Sequence, residues 1–326
     1  MRYWGLIIYS SWLCLKVSAQ LLPVYGNSRT ATSGAVALKL PLDAYSTSLS
    51  GGVVAAIGSP AAAHWNPGAL PLIDSSRWSL QTDYLRYAAG IEGGAATVVY
   101  SRRHLKYWAF RWASIQTDYL NVTDEFHPHG NGNRFAYTVF IPSISYGMVL
   151  SNNFNFGITT RLFHERFYTV RNLAFLVDLG FVYDLRFRYI TRIGVAASNF
   201  GFILRPVVQS GDSLLRGNRL IPPAVFRLGA VREIWRRQHH QLLASIQLNH
   251  PTDNNETVVT ALEYGYDHRF FVRIGHEWGT DLRRLPTAGA GFRWPWRWGD
   301  IRADYAIRSL GTLGWTHAMS VALYIQ

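Results

Sequence analysis

From Phe175 to Phe187, apolar and polar positions alternate almost one by one. Phe175, Val177, Leu179, Phe181, Tyr183, Leu185 and Phe187 share one parity, and Asp178, Gly180, Asp184 and Arg186 share the other. Side chains along a strand point alternately to opposite faces, so this segment predicts a strand with one apolar and one charged face. The same alternation returns at Phe154–Leu162, Tyr189–Ala197, Phe226–Ala230, Leu242–Leu248, Val258–Tyr266, Phe270–Trp278, Ile301–Ile307 and Met319–Ile325. Weaker versions lie near 94–104, 106–117, 135–150 and 286–298. Together they give about fourteen strands, an even number of the kind a transmembrane antiparallel β-barrel needs. A soluble periplasmic β-sandwich is the competing architecture.

Turn-forming residues separate many of the strands, as at Ser151-Asn152-Asn153, Pro251 to Asn255 and Asp267-His268. Two longer connections, 119–134 and 200–222, are candidates for the longer, extracellular loops of such a barrel. Residues 20–75 differ in texture, being rich in Gly, Ala and Ser. Ser59 is placed to cap a short helix through Ala63, with Pro60 in its first turn, and Asn66-Pro67-Gly68 to end it.

The N-terminus adds an address. Met1-Arg2, an apolar run from Tyr3 to Leu15 and Val17-Ser18-Ala19 before Gln20 read as a secretory signal peptide over residues 1–19. Its apolar run is short for a spanning helix. Cys14, the only cysteine, falls inside it, so the mature chain would hold together without disulfides. Three unequal divisions follow: signal 1–19, N-terminal segment 20–75 and barrel 76–326.

Composition changes the picture in two places. Aromatic residues make up 14% of the chain. Phe292, Trp294, Trp296 and Trp298 share one parity, as do Trp108, Phe110 and Trp112, which suits the aromatic girdles of a membrane barrel. The formal charge is +12, but the arginines are scattered singly along strands, with no basic tail or recognition helix, which argues against a nucleic-acid partner. Inward-facing arginines and contacts with outer-membrane lipid account for the excess.

Three blocks of residues resemble the PorV/PorQ family of outer-membrane proteins, which share their architecture with the FadL long-chain fatty-acid transporters. The first runs from Leu49-Ser50-Gly51-Gly52-Val53 to His64-Trp65-Asn66-Pro67-Gly68-Ala69-Leu70. The second joins Ser198-Asn199-Phe200-Gly201 to Ile221-Pro222-Pro223 and Phe226-Arg227-Leu228-Gly229. The third is Asp304-Tyr305-Ala306, then Leu310-Gly311 and Thr316-His317. Gly68-Ala69 inverts the family's usual order, and Ala318 stands where an arginine is common. The resemblance implies a fourteen-stranded barrel with residues 20–75 folded into the lumen as a plug. It places the protein in the outer membrane of a Gram-negative, Bacteroidetes-like bacterium. It implies either an accessory role in type IX protein secretion, with secretion-system proteins or secreted cargo as partners, or a FadL-like channel for hydrophobic or anionic amphipathic molecules.

The candidate functional residues form two groups. Gly51, Gly52, Trp65, Asn66, Pro67, Gly68 and Leu70 would shape the plug and its turn. Arg161, Asp178, Asp184, Arg186, Arg188, Arg192, Arg227, Arg273, Glu277, Arg302, Asp304 and Arg308 would face the lumen, together with Glu165 and Arg293. Arginines outnumber acids there, so the lumen could hold the carboxylate or phosphate of a long-chain anionic ligand. The same charges could instead neutralise one another and tie down the plug. His127-Pro128-His129 and His239-His240 lack a third ligand at metal-binding spacing. No cofactor loop, nucleophile elbow or zinc-protease helix is present, so the expectation is a non-enzyme without cofactor. A triad drawing on Asp304 and His317 has no support in spacing.

Overall fold

The computed structural model describes residues 33–73, 76–185, 191–201, 206–210, 213–217, 220–280 and 285–326. The signal expected over 1–19 lies outside the described residues, as do Arg186 and Arg188.

Alternation becomes wall in the strands β1 (Trp78–Arg86), β2 (Ile91–Arg102), β3 (Lys106–Thr117), β4 (Tyr137–Ser151), β5 (Phe154–Phe167), β6 (Val170–Asp184) and β7 (Thr191–Gly201). The wall continues through β8 (Val225–Arg237), β9 (His240–Pro251), β10 (Thr257–Tyr266), β11 (Phe270–Trp278), β12 (Thr287–Trp296), β13 (Gly299–Ser309) and β14 (Trp315–Ile325). Each strand pairs antiparallel with its neighbours in the chain, and β14 returns to β1 from Trp78↔Ile325 to Arg86↔His317. The result is a closed fourteen-stranded antiparallel barrel. Closure leaves no free sheet edge, which is the condition for carrying strands through lipid.

In β6, Phe175 and Leu179 are 48% and 40% exposed, whereas Leu176 and Asp178 are fully buried. The alternation therefore matches this strand's faces, and the strand begins at Val170, five residues earlier than the pattern, and runs to Asp184, with Phe187 outside the described residues. Phe226, Leu228, Ile246, Leu248, Leu262, Val272, Ile274, Met319 and Val321 likewise point outward, in a band too apolar for an aqueous surface. Trp108, Phe110 and Trp112 lie on that outer face, as do Trp294, Trp296 and Trp298.

The two ends differ. At the end holding Trp78 and Ile325 the turns are short, as at Asn152-Asn153 and Gln238-His239. The opposite end carries the 118–136 and 202–224 connections. Each includes a small hairpin that sequence alternation did not announce: Leu120–Asn121 with Arg134–Phe135, and Val207–Ser210 with Ser213–Arg216.

Residues 33–73 lie inside the barrel. Helix α1 (Ala44–Ser48) packs on β11 to β14, and a 3-10 turn, Pro67–Leu72, packs on β3 to β7. Asp43 caps α1 by accepting from Ser46 N, and it also takes the Trp65 Nε1 hydrogen at 2.7 Å. Helix α2 (Ala62–Trp65) starts later than Ser59 and without a side-chain cap. The reason is visible in the backbone: Ala62 and Ala63 N–H already reach the Ser59 and Pro60 carbonyls, leaving the Ser59 hydroxyl buried and unused.

Candidate functional site: a seated plug and a basic chamber

Asn66 fixes the plug turn. Its Oδ1 accepts from Gly68 N at 3.0 Å, and its Nδ2 donates to Val54 O at 2.7 Å and to Phe181 O at 3.1 Å. The last bond fastens the plug directly to β6. Three wall glycines make the approach possible. Gly147, Gly157 and Gly180 stand side by side across β4, β5 and β6. A methyl group on Gly180 would stand 2.8 Å from Pro67 Cδ and from Gly68 N, and one on Gly157 would stand 2.6 Å from Gly68 N. Leu70 fills the space above Gly147. Elsewhere Gly194 admits the Ala55 backbone, and Gly275 admits Leu49. The inward glycines are thus the groove in which the plug lies.

Side chains of the wall complete the seat. Gln247 on β9 accepts from Val54 N at 2.9 Å and donates to Gly51 O at 3.0 Å. Gly52 lies against Val259. Arg161 on β5 pairs with Asp178 and donates to His64 O at 2.6 Å. Asp178 is aimed by an irregularity in the β6–β7 register between Val177 and Leu179, opposite Asn199, whose φ of 63° is left-handed. Asn199 N donates to Asp178 Oδ1 at 2.6 Å.

A second cluster surrounds α1. Arg273 donates to Glu263 at 2.5 Å and to Asp304 at 2.7 Å, and Arg302 meets Asp304 at 2.9 Å. Both guanidinium groups lie over the Tyr45 ring, at 4.7 and 4.9 Å. A third cluster escaped the sequence reading altogether. Arg111 on β3 meets Asp83 on β1 at 3.2 Å, and Asp83 accepts from Ser320 Oγ on β14 at 2.7 Å. Ser320 Oγ in turn accepts from Ala44 N of the plug at 2.8 Å. Asp184 and Arg192 pair at 3.5 Å near the short-turn end, apart from all of these. Asp304 faces the lumen, whereas His317 faces outward and bonds Tyr305 OH at 2.7 Å, so no triad joins them. The His127 ring meets Asp124 at 2.9 Å, and the His239 ring meets Asp267 at 3.0 Å.

Glu165 binds Tyr137 and Asn172, and Arg293 pairs with Asp300, while five other candidates converge on one chamber of about 150 Å³ between plug and wall. Gly51, Trp65, Arg227, Glu277 and Arg308, all expected from the sequence, line it with Lys39, Gln247 and Asn249. It reaches the β9–β10 turn at Asn254 and Asn255, on the long-loop end. Arg227 lies 5.3 Å over the Trp65 ring and donates to Ser198 Oγ at 3.0 Å. Arg308 is 4% exposed, meets Glu277 at 3.4 Å, and has a buried Nε with no partner among the described residues. Lys39 and Ser33 both bind Asp253, which anchors the outer part of the plug to the same turn.

The fold has solved counterparts. The toluene transporter TbuX of Ralstonia pickettii superposes with a TM-score of 0.58 over 87% of this chain and 98% of that one, at 12% identity. The fold is FadL-like. The Pseudomonas putida toluene transporter TodX gives 0.57 over 86% and 95% of the two chains at 13% identity, and a Pseudomonas aeruginosa FadL homologue gives 0.53 over 87% and 98% at 12%. No family model and no curated protein matches the chain. The FadL-like fold agrees with the expected architecture, and nothing in these likenesses singles out PorV or PorQ.

Proposed function

We propose that this protein is an outer-membrane channel for small hydrophobic or anionic amphipathic molecules, exported by the signal at residues 1–19. The observation that carries this reading is the chamber of about 150 Å³ beside the plug of a FadL-like barrel. A cavity of that size accepts a molecule of about one benzene ring. Arg227, Lys39 and the Arg308–Glu277 pair all line it. An anionic head would complete the hydrogen bonding of Arg308, while Trp65, Pro41 and Val225 receive the apolar part. The solved neighbours named as toluene transporters favour the same class of cargo, with the arginines adding an anion preference.

Binding of benzoate and octanoate to the purified protein, followed by tryptophan fluorescence, tests the reading. Arg308→Gln and Arg227→Gln each remove a charged hydrogen-bond donor, which is worth about 1.5–3 kcal/mol, or roughly ten- to a hundred-fold in Kd. No binding, or equal binding by the variants, would refute the chamber's role.

The type IX accessory reading draws on the three residue blocks and on the tight seat of the plug, which suits a partner-binding barrel as well as a gated one. Its test is secretion of type IX cargo after gene deletion. Unchanged secretion would remove it.

A further inference from the structure

The short-turn end carries an unbalanced set of arginines just beyond a tryptophan collar. Three consecutive turns, β8–β9, β10–β11 and β12–β13, follow one another along that rim. Asp267 N donates to His239 O at 2.7 Å, joining the first two, and Arg293 N of β12 donates to Arg269 O at 2.7 Å. Each turn exposes an arginine: Arg237, Arg269 and Arg297. Among the described residues Arg237 and Arg297 have no acidic partner, and Arg269 has only Asp267 at 3.7 Å, a carboxylate already shared with His239. Trp235 and Trp296, near the ends of β8 and β12, and Trp298, beside Arg297 in the β12–β13 turn, are 43%, 47% and 57% exposed. Arg232 stands on the outer face further along β8, with a stem long enough to reach the headgroup level. The long-loop end, by contrast, mixes its charges: Asp118, Asp124, Glu125 and Glu256 lie among its basic residues.

We infer that the rim formed by these three turns is a binding surface for anionic phospholipid headgroups. Tryptophan seats at the boundary between chains and headgroups, which sets the depth of the collar. Arginines one turn beyond it then lie in the phosphate layer, where each can bond two phosphate oxygens. An acidic protein would not require the tryptophan collar beneath the charges, whereas a lipid leaflet requires both. Short turns face the periplasm in outer-membrane barrels, so the leaflet concerned is the inner one. A basic rim at one end only also biases which way round the barrel sits. This inference rests on the membrane reading above but not on the identity of any cargo.

Native mass spectrometry of the full barrel released from nanodiscs of mixed phosphatidylglycerol and phosphatidylcholine tests it. The parent protein is expected to retain phosphatidylglycerol selectively. In the triple variant Arg237→Gln/Arg269→Gln/Arg297→Gln that selectivity should fall at least about tenfold, since each basic residue near an anionic surface contributes roughly a fivefold preference. Arg134→Gln/Arg166→Gln, at the long-loop end, should retain it. Equal retention of both lipids by the parent, an equal loss in the long-loop variant, or displacement of the lipid by a co-purifying acidic protein would each overturn the inference. Failure to enter the nanodisc would overturn the membrane reading itself, and this one with it.

Discussion

Adding one methyl group at Gly180 should unseat the plug while leaving the barrel closed. The new Cβ would stand 2.8 Å from both Pro67 Cδ and Gly68 N, with Asn66 Oδ1 nearer still. Gly68 N is backbone, Pro67 Cδ belongs to a ring closed on the backbone, and the Asn66 amide is held by its bonds to Gly68 N and Phe181 O, so the turn as a whole must retreat. Retreat breaks the Asn66 bonds to Val54 O and Phe181 O. Losing buried partners costs about 1–3 kcal/mol per group, and the overpacking itself a further ~1–3 kcal/mol. Alanine returns only about 0.4–1 kcal/mol through the unfolded chain, so displacement wins. A net cost near 3 kcal/mol corresponds to roughly a hundred-fold rise in the unseated population. Protease cleavage within residues 43–73 should accelerate accordingly, while heat-modifiable gel mobility, which reports the closed barrel, stays close to the parent's. Gly265→Ala is the control, because the nearest neighbours of its methyl group are the Phe271 ring, at 3.3 Å, and Gln241, side chains of the wall and not of the plug. Cleavage of the Gly180→Ala plug at the parental rate would refute the glycine-groove account.

Arg273→Ala strips Glu263 and Asp304 of a buried partner and should lower barrel stability by about 3–5 kcal/mol, read as an earlier heat-induced mobility shift. Asp253→Ala releases Ser33 and Lys39, so residues 33–42 should become protease-sensitive while the Asn66 turn remains protected. In the 118–136 connection, the His127 side chain foremost, helped by the His127 and Phe126 amides, holds the Asp124 carboxyl below the ordinary carboxylate range. Its contribution to loop order is therefore complete above the unfolded value of about 3.9 and is lost as pH falls through the lowered folded value. A carboxyl-carbon NMR titration checks the sign, and a raised midpoint would contradict it.

The wall was legible because each strand alternates independently of every other: Phe175 and Asp178 declare their faces without knowing their neighbours. The inward placement of Arg161, Arg227, Arg273 and Arg308 followed from the same parity. Their division into separate clusters did not, since Arg161 is sorted from Arg273 by barrel position, which parity does not encode. Asp83 was missed because β1 mixes Thr and Leu between its two faces, and Arg111 because nothing in β3 alone, although Trp108, Phe110 and Trp112 set its parity, points to a partner on β1. The inward glycines could be read as part of a polar face. That Gly157 and Gly180 mark a close approach depends on a turn far back in the chain at Asn66, and only the register across β4 to β6 shows them adjacent. Ser59 was misplaced as a cap for a local reason: backbone donors satisfied the turn first.

The bridge from Ala44 through Ser320 to Asp83 crosses the one junction in the wall where the first and last strands meet. Every other neighbouring pair of strands is consecutive around the wall and in the chain, so its partners are held near each other by the chain itself. The β1–β14 junction has no such tether and must be found by ends separated by the whole barrel, the most entropically demanding step of the assembly. A plug residue bonded to that junction from within rewards the correct closure and no other. The N-terminal segment is then a clasp as well as a stopper: the ring is fastened by the part made first, and a barrel that closes in the wrong register has nothing to fasten.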